Sequence, residues 1–167
     1  IKILFYHIQM YVYGTCGFRF HHTVVEEIAE KIGYVVAHLS ASKSSPYGIM
    51  ITASHNPHED NGVKIINESG EMIGRMEEKI VTDYINDCVI LSPIMERGEI
   101  YVGFDTRASG ENILKLIQVG ACHYNPDIKV RIIGCVTTPE LHFCLWKHHN
   151  NALKSYGETL KSLNMSL

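Results

Sequence analysis

Ser54 lies in the run Thr52-Ala53-Ser54-His55-Asn56-Pro57, after the apolar stretch 48–53 and ten residues before Lys64. A serine where an apolar strand gives way to a polar loop is held by a rigid element and left open to a ligand. His55 and Asn56 can donate hydrogen bonds to an oxyanion. Pro57 stiffens the loop, and Asp60-Asn61-Gly62 is a turn signal. If that turn sends the chain back on itself, the Lys64 ammonium returns to the serine. Such parts suit a phosphoryl-carrying site, because a phosphoserine brings roughly -1.5 to -2 charges and needs a lysine, an arginine or a metal beside it. The same residue types also describe a surface loop with a helix-capping serine, and residue chemistry alone leaves both readings open. Other nucleophile and nucleotide patterns are missing: no G-x-S-x-G, Walker A, G-x-G-x-x-G or H-E-x-x-H occurs.

Apolar spacing places elements on both sides of this loop. Residues 11–20 read as a strand with a glycine-bearing loop, Tyr13-Gly14-Thr15-Cys16-Gly17-Phe18-Arg19. Thr23-Val24-Val25-Glu26 has capping-box form and predicts a helix N-capped by Thr23. Val24, Ile28, Ile32, Val35 and Leu39 recur at helical spacing until the serine-rich stretch 40–46. Strands are expected over 48–53 and 62–67, followed by a helix over 72–88 with Met76, Ile80 and Tyr84 on its apolar stripe. From Glu99 the alternation repeats. Strand 100–104 ends at Asp105-Thr106-Arg107, and Ser109 can cap a helix carrying Ile113, Leu114 and Ile117. After strand 130–134, Thr138 fits an N-cap, Pro139 the first helical position and Glu140 the positive helix end, with the helix running to His148. Strands alternating with helices predict an α/β domain over 1–149. The polar stretch 150–167, with Leu153, Leu160 and Leu163 in a weak stripe, reads as a connector to an absent second domain.

Four ordered segments carry a family resemblance. Residues 48–73, GIMITASHNPHEDNGVKIINESGEMI, closely resemble the phosphoserine segment of the α-D-phosphohexomutases. Tyr13-Gly14-Thr15-Cys16-Gly17-Phe18-Arg19 resembles their Y-G-T-A-G-F-R, Gly103-Phe104-Asp105-Thr106-Arg107 their G-R-D-T-R, and Thr137-Thr138-Pro139-Glu140-Leu141-His142 their T-T-P-Q-L-H. The D-N-G-V-K and G-E-M forms look most like the phosphoacetylglucosamine mutase branch. The resemblance spans residues 12–163.

That resemblance implies a three-layer α/β domain with a mixed sheet between helices, the first of four domains. It implies an enzyme interconverting N-acetylglucosamine 6-phosphate and 1-phosphate through a phosphoserine and a 1,6-bisphosphate, in UDP-N-acetylglucosamine synthesis. Ser54 matches the phosphoryl-carrying serine, which also gives an oxygen to Mg²⁺. Arg19 and Lys64 match basic residues near the transferring group, with Lys64 a candidate general base or electrostatic stabiliser. His55 is a candidate general base, and Asn56 shapes the loop and contacts phosphate. Asp105 and Arg107 fit a strand-end turn or a domain contact. Cys16 and Phe104 depart from the family's Ala and Arg. In the family the second domain holds Mg²⁺ through a D-x-D-x-D-R loop, the third reads the sugar and the fourth binds the non-reacting phosphate. No D-x-D occurs here. The expected partners are therefore a hexosamine phosphate and the missing domains 2–4, and the chain alone is expected to be inactive. A sibling phosphoglucomutase or phosphomannomutase fragment, and a non-catalytic phosphosugar-binding or interaction module, are the alternatives.

Bulk properties agree with such a partner set. The net charge of -3 is spread without a Lys/Arg block, which argues against nucleic acid and anionic membranes. No apolar run approaches the ~20 residues of a membrane span. The five cysteines are odd in number, without C-x-x-C spacing, and mostly in apolar surroundings, which suggests small buried hydrophobes in a reducing, cytoplasmic compartment. The adjacent pairs His21-His22 and His148-His149 cannot both face one side of a helix or strand and read as surface residues rather than metal ligands.

Overall fold

In the computed structural model, which describes residues 10–149, the chain alternates as expected. Phe18–His21 forms β1, His22–Lys43 α1, Tyr47–Ile51 β2, Asp60–Ile66 β3 and Arg75–Ile85 α2. Glu99–Phe104 forms β4, Gly110–Tyr124 α3, Lys129–Cys135 β5 and Thr138–His149 α4. The stretch 150–167, read above as a connector, lies outside the described residues.

The strands form one mixed sheet in the order β1-β3-β2-β4-β5. Strand β3 pairs antiparallel with both β1 and β2, while β2, β4 and β5 run parallel. Side chains alternate across a sheet, so each strand feeds two cores. Phe18, Ile49, Ile51, Val63, Ile65, Ile100 and Val102 enter a large core against α1, α2 and α3. Met50 and Ile66 enter a smaller one with Val136, Leu141 and Leu145, under α4. Helices thus cover both faces of the sheet, the three layers expected from the resemblance.

On the larger side, α1 and α3 cross at Gly33 and Gly120. A Cβ on Gly33 would sit 2.0 Å from the Ile117 carbonyl oxygen, and one on Gly120 would sit 1.8 Å from that of Glu30. Only glycine permits this backbone approach.

Several local expectations shift. Helix α1 starts one residue before Thr23 and has no side-chain cap. Instead the His22 N–H donates to the Glu59 carbonyl (2.9 Å), which docks the helix start on the chain entering β3. Thr23 Oγ1 lies 2.9 Å from His21 Nδ1. The His21 and His22 rings do approach, to 4.7 Å, because strand and helix periodicity both lapse at this junction. Ser109 precedes α3 without a side-chain cap bond, and its Oγ accepts from Asn61 Nδ2 (2.8 Å). At α4 the capping position is Thr137 rather than Thr138, since Glu140 Oε2 accepts from the Thr137 N–H (2.6 Å). Met76 is 80% exposed in the first turn of α2, and Val81 and Ile85 face the core with Ile80 and Tyr84 beside them. Cys16, Cys88, Cys122 and Cys135 are exposed at turns, helix surfaces or the end of the edge strand, not packed as small hydrophobes.

Candidate functional site

The Ser54 loop leaves the C-terminal end of β2 and returns as β3. Its base is closed by the Thr52 N–H donating to the Gly62 carbonyl (2.9 Å). Asn56 N donates to Ala53 O and Asp60 N to Pro57 O, both at 3.1 Å, so the loop is two successive turns. Ser54 has φ 52°, in the left-handed region. For a non-glycine residue that conformation costs about 1–3 kcal/mol and persists only where the surroundings enforce it. Its N–H donates to Thr52 Oγ1 (3.0 Å), and its side chain is exposed.

The enforcement comes from the turn after β4. Strands β2 and β4 are parallel neighbours, with Ile51 opposite Phe104, so Thr52 and Asp105 emerge side by side. Thr52 Oγ1 donates to Asp105 Oδ2 (2.7 Å). Asp105 also accepts from the Arg107 backbone N–H (3.0 Å) and from Arg107 Nε (3.2 Å). The guanidinium then reaches under the loop. Nη1 donates to the Pro57 and Asp60 carbonyls, and Nη2 to those of Ser54 (2.8 Å) and Asn56 (3.0 Å). A third tie is Asn61, fully buried, whose Nδ2 reaches Ser109 Oγ. The expected strand-end turn is therefore present, and its contacts are with the Ser54 loop. Phe104, where the family has Arg, packs partly buried against the large core and adds no charge.

Arg19 and Lys64 arrive by sheet register. Arg19 lies opposite Gly62 and Lys64 opposite Met50. Opposed residues share a face, as do residues two apart on one strand, so both cations stand on the Met50 face, the one α4 partly covers. Arg19 Nη1 donates to Asn56 Oδ1 (3.1 Å), while its Nε is buried without a partner among the described residues. Lys64 is half-buried and makes no hydrogen bond or ion pair with the described residues.

Tyr13 and Gly17, from the loop before β1, shape this edge. The Ile65 N–H donates to the Tyr13 hydroxyl (2.8 Å), and burial pushes that hydroxyl's pKa up and keeps it neutral. Gly17, at φ 80°, lies so close to β3 that a Cβ would sit 2.1 Å from the Val63 carbonyl oxygen. Gly17 therefore seats Phe18 and Arg19 on β3.

The remaining two predicted residues behave differently. Asn56 spends its amide inside the loop, accepting from Arg19 and donating to Asp60 Oδ2 (2.9 Å). His55 is exposed and has no bond among the described residues that would orient its ring. Sequence reasoning missed the gripping role of Thr52, Asp105 and Arg107. The signal was available in the alternation of strands and helices, since neighbouring parallel strands end together.

Magnesium finds no complete site here. Among the described residues, no group of three His, Cys, Asp or Glu side chains is placed to hold a metal ion. Among them, too, no helix is long and apolar enough to cross a membrane. A cleft of about 580 Å³ lined by Arg97, Glu99, Lys129 and His148 lies at the opposite end of the sheet, where the parallel strands begin.

Residues 31–89 match the phosphoglucomutase/phosphomannomutase family, α/β/α domain I. The chain is 36% identical over 161 residues to phosphoacetylglucosamine mutase 1 of Schizosaccharomyces pombe, covering 90% of this chain and 31% of that protein. It superposes on an N-acetylglucosamine-phosphate mutase crystallised as a substrate complex, at TM-score 0.76 and 27% identity, over 86% of this chain and 30% of that one. The Aspergillus fumigatus N-acetylphosphoglucosamine mutase in complex with GlcNAc-6P and magnesium gives TM-score 0.73 at 25% identity, over 90% and 30%. The chain thus spans about a third of the length of the relatives it matches.

Proposed function

We infer that this chain is the first domain of an α-D-phosphohexomutase, and from that premise that Ser54 carries the phosphoryl group in the interconversion of N-acetylglucosamine 6-phosphate and 1-phosphate. One observation supports this most: Ser54 is exposed on an enforced left-handed turn, while the neighbouring strands present Arg19 and Lys64 with unspent donors. An exposed serine on a loop that Arg19 touches through Asn56, with Lys64 on the same sheet face, is suited to an anion and poorly suited to helix capping.

In the proposed cycle phospho-Ser54 donates to the free hydroxyl of the hexosamine phosphate. The Oγ–P bond breaks, a P–O bond to the sugar forms, and the proton lost by the sugar hydroxyl is balanced by one taken up at the Ser54 Oγ. The 1,6-bisphosphate turns over in the site and returns its other phosphoryl group to Ser54. Such transfer depends on positioning and on charge opposed to the transferring oxygens more than on covalent chemistry. Arg19 and Lys64 supply that charge. Among the described residues His55 has no hydrogen bond that would fix its ring as a general base. A bound Mg²⁺ would add further positive charge at the transferring oxygens. Phospho-Ser54 would offer it one oxygen, too few for a hard cation that wants an octahedral oxygen set.

The relatives' names support the amino-sugar substrate, while the UDP-N-acetylglucosamine route and the cytoplasmic setting are carried over from the family resemblance and the cysteine pattern of the sequence. Residues 150–167 are read as the connector toward domains that hold the metal and read the sugar. The 167-residue chain alone is accordingly expected to give no turnover of N-acetylglucosamine 6-phosphate, and robust conversion by the purified chain would overturn that. The phosphoryl role is tested by incubation with glucose 1,6-bisphosphate and intact-mass measurement. A single phosphate adduct lost in Ser54→Ala supports it, and an adduct that persists in that variant places the acceptor elsewhere.

A further inference from the structure

We propose that Arg107 is the positioning residue of the Ser54 loop, holding the serine in its left-handed conformation from beneath, with Asp105 and Thr52 as its anchor. The proposal rests on the reading of Ser54 as the phosphoryl carrier.

Three observations carry it. First, all five N–H groups of the guanidinium are spent, on the carbonyls of Ser54, Asn56, Pro57 and Asp60 and on Asp105. The side chain is 9% exposed. Arg107 therefore has no donor left for a phosphate, although its position beside the loop and its charge would suggest one. Second, four carbonyls converging on one planar cation curl the loop around it. The exposed side chains of Ser54, His55, Pro57 and His58 lie on the outside of that curl. Third, the clamp reaches the serine twice. Nη2 takes the Ser54 carbonyl, and the Asp105 carboxylate orients the Thr52 hydroxyl that accepts the Ser54 N–H. Both peptide groups flanking the Ser54 side chain are thereby fixed. A lysine at 107 would keep the charge and lose the planar fork that spans two pairs of carbonyls.

The test uses the 167-residue chain with Arg107→Lys, Arg107→Ala and Thr52→Val. Amide hydrogen exchange is read by NMR at Ser54, Asn56 and Asp60, with α1 and β4 amides as the reference. Phosphoryl uptake from glucose 1,6-bisphosphate is read by intact mass. In both Arg107 variants exchange at the three loop amides is expected to rise about tenfold while the reference amides hold. Uptake is expected to fall about a hundredfold, as for a reacting group displaced by about 1 Å. Thr52→Val should free the Ser54 amide and leave Asn56 and Asp60 protected. Millimolar methylguanidinium should restore loop protection and uptake to Arg107→Ala. Loop exchange that does not change in either Arg107 variant overturns the proposal. So does exchange that rises equally in α1 and β4, which would make Arg107 a general fold residue. If the unaltered chain takes up no phosphoryl group, the reading of Ser54 falls, and the exchange and rescue measurements still decide whether Arg107 holds the loop.

Discussion

Two arginines flank the Ser54 loop and differ in what they leave unspent. Arg107, below the loop, gives every N–H to the protein. Among the described residues Arg19, beside it, has a buried Nε with no acceptor and one bond to Asn56. A buried donor without a partner costs about 1–3 kcal/mol, so a fold that tolerates one has reason to keep it. The saturated arginine organises structure. The unsaturated one, with Lys64, which has no partner among the described residues, on the same sheet face, remains available to a ligand. Charge and proximity alone would have assigned both arginines to phosphate.

The largest separation between the two regions is expected from Asp105→Ala. It strips the acceptor from Arg107 Nε, from the Arg107 N–H and from the Thr52 hydroxyl together. We expect a loss of about 2–3 kcal/mol, read as a lowered urea midpoint at unchanged m-value. A variant as stable as the parent would show that the turn does not brace the loop. Arg19→Met and Lys64→Met should do the reverse. Each keeps the aliphatic stem. Arg19→Met gives up one hydrogen bond and relieves a buried unpaired donor, and Lys64→Met gives up no bond among the described residues, so neither variant should be destabilised by more than about 0.5 kcal/mol. Affinity for N-acetylglucosamine 6-phosphate, followed by NMR titration, should weaken about tenfold per cation, as charge-assisted hydrogen bonds are lost. Equal stability losses at positions 19 and 105 would erase the distinction between the regions.

The contrast also explains what could be read from the sequence. The layered fold was legible because apolar periodicity reports burial directly. Ile28, Ile32, Val35 and Leu39 do line the large core, and Ile49 and Ile51 do enter it from β2. Ser54, Arg19 and Lys64 were legible through motif resemblance, and sheet register then put the two cations on one face. The clamp was not, because Arg107 lies about fifty residues from the loop it holds (|i−j| = 50 to Pro57) and meets it through carbonyls, which every residue type possesses. Side-chain identity encodes half of such a contact. Helix starts shifted for a related reason. Thr23 had the capping pattern, but the backbone of Glu59 supplied the acceptor to the first turn, and tertiary docking set the boundary.

Asn56 sits between the two regions and gives the finest test of the comparison. Its sequence position suggests a direct phosphate contact. In the fold its Oδ1 receives Arg19 Nη1 and its Nδ2 donates to Asp60, so both ends of its amide are tied to the protein and the oxygen end sets the Arg19 head group. Asn56→Ala should therefore weaken sugar-phosphate binding only through Arg19, by about threefold, at the scale of one neutral hydrogen bond. A double-mutant cycle with Arg19→Met separates the possibilities, since residues that act through one another are not additive. If Asn56 works by orienting Arg19, Asn56→Ala costs nothing further once Arg19 is Met. If it meets the phosphate itself, the two losses add, and the line between organising and ligand-facing groups would have to be redrawn to place Asn56 with Arg19 and Lys64.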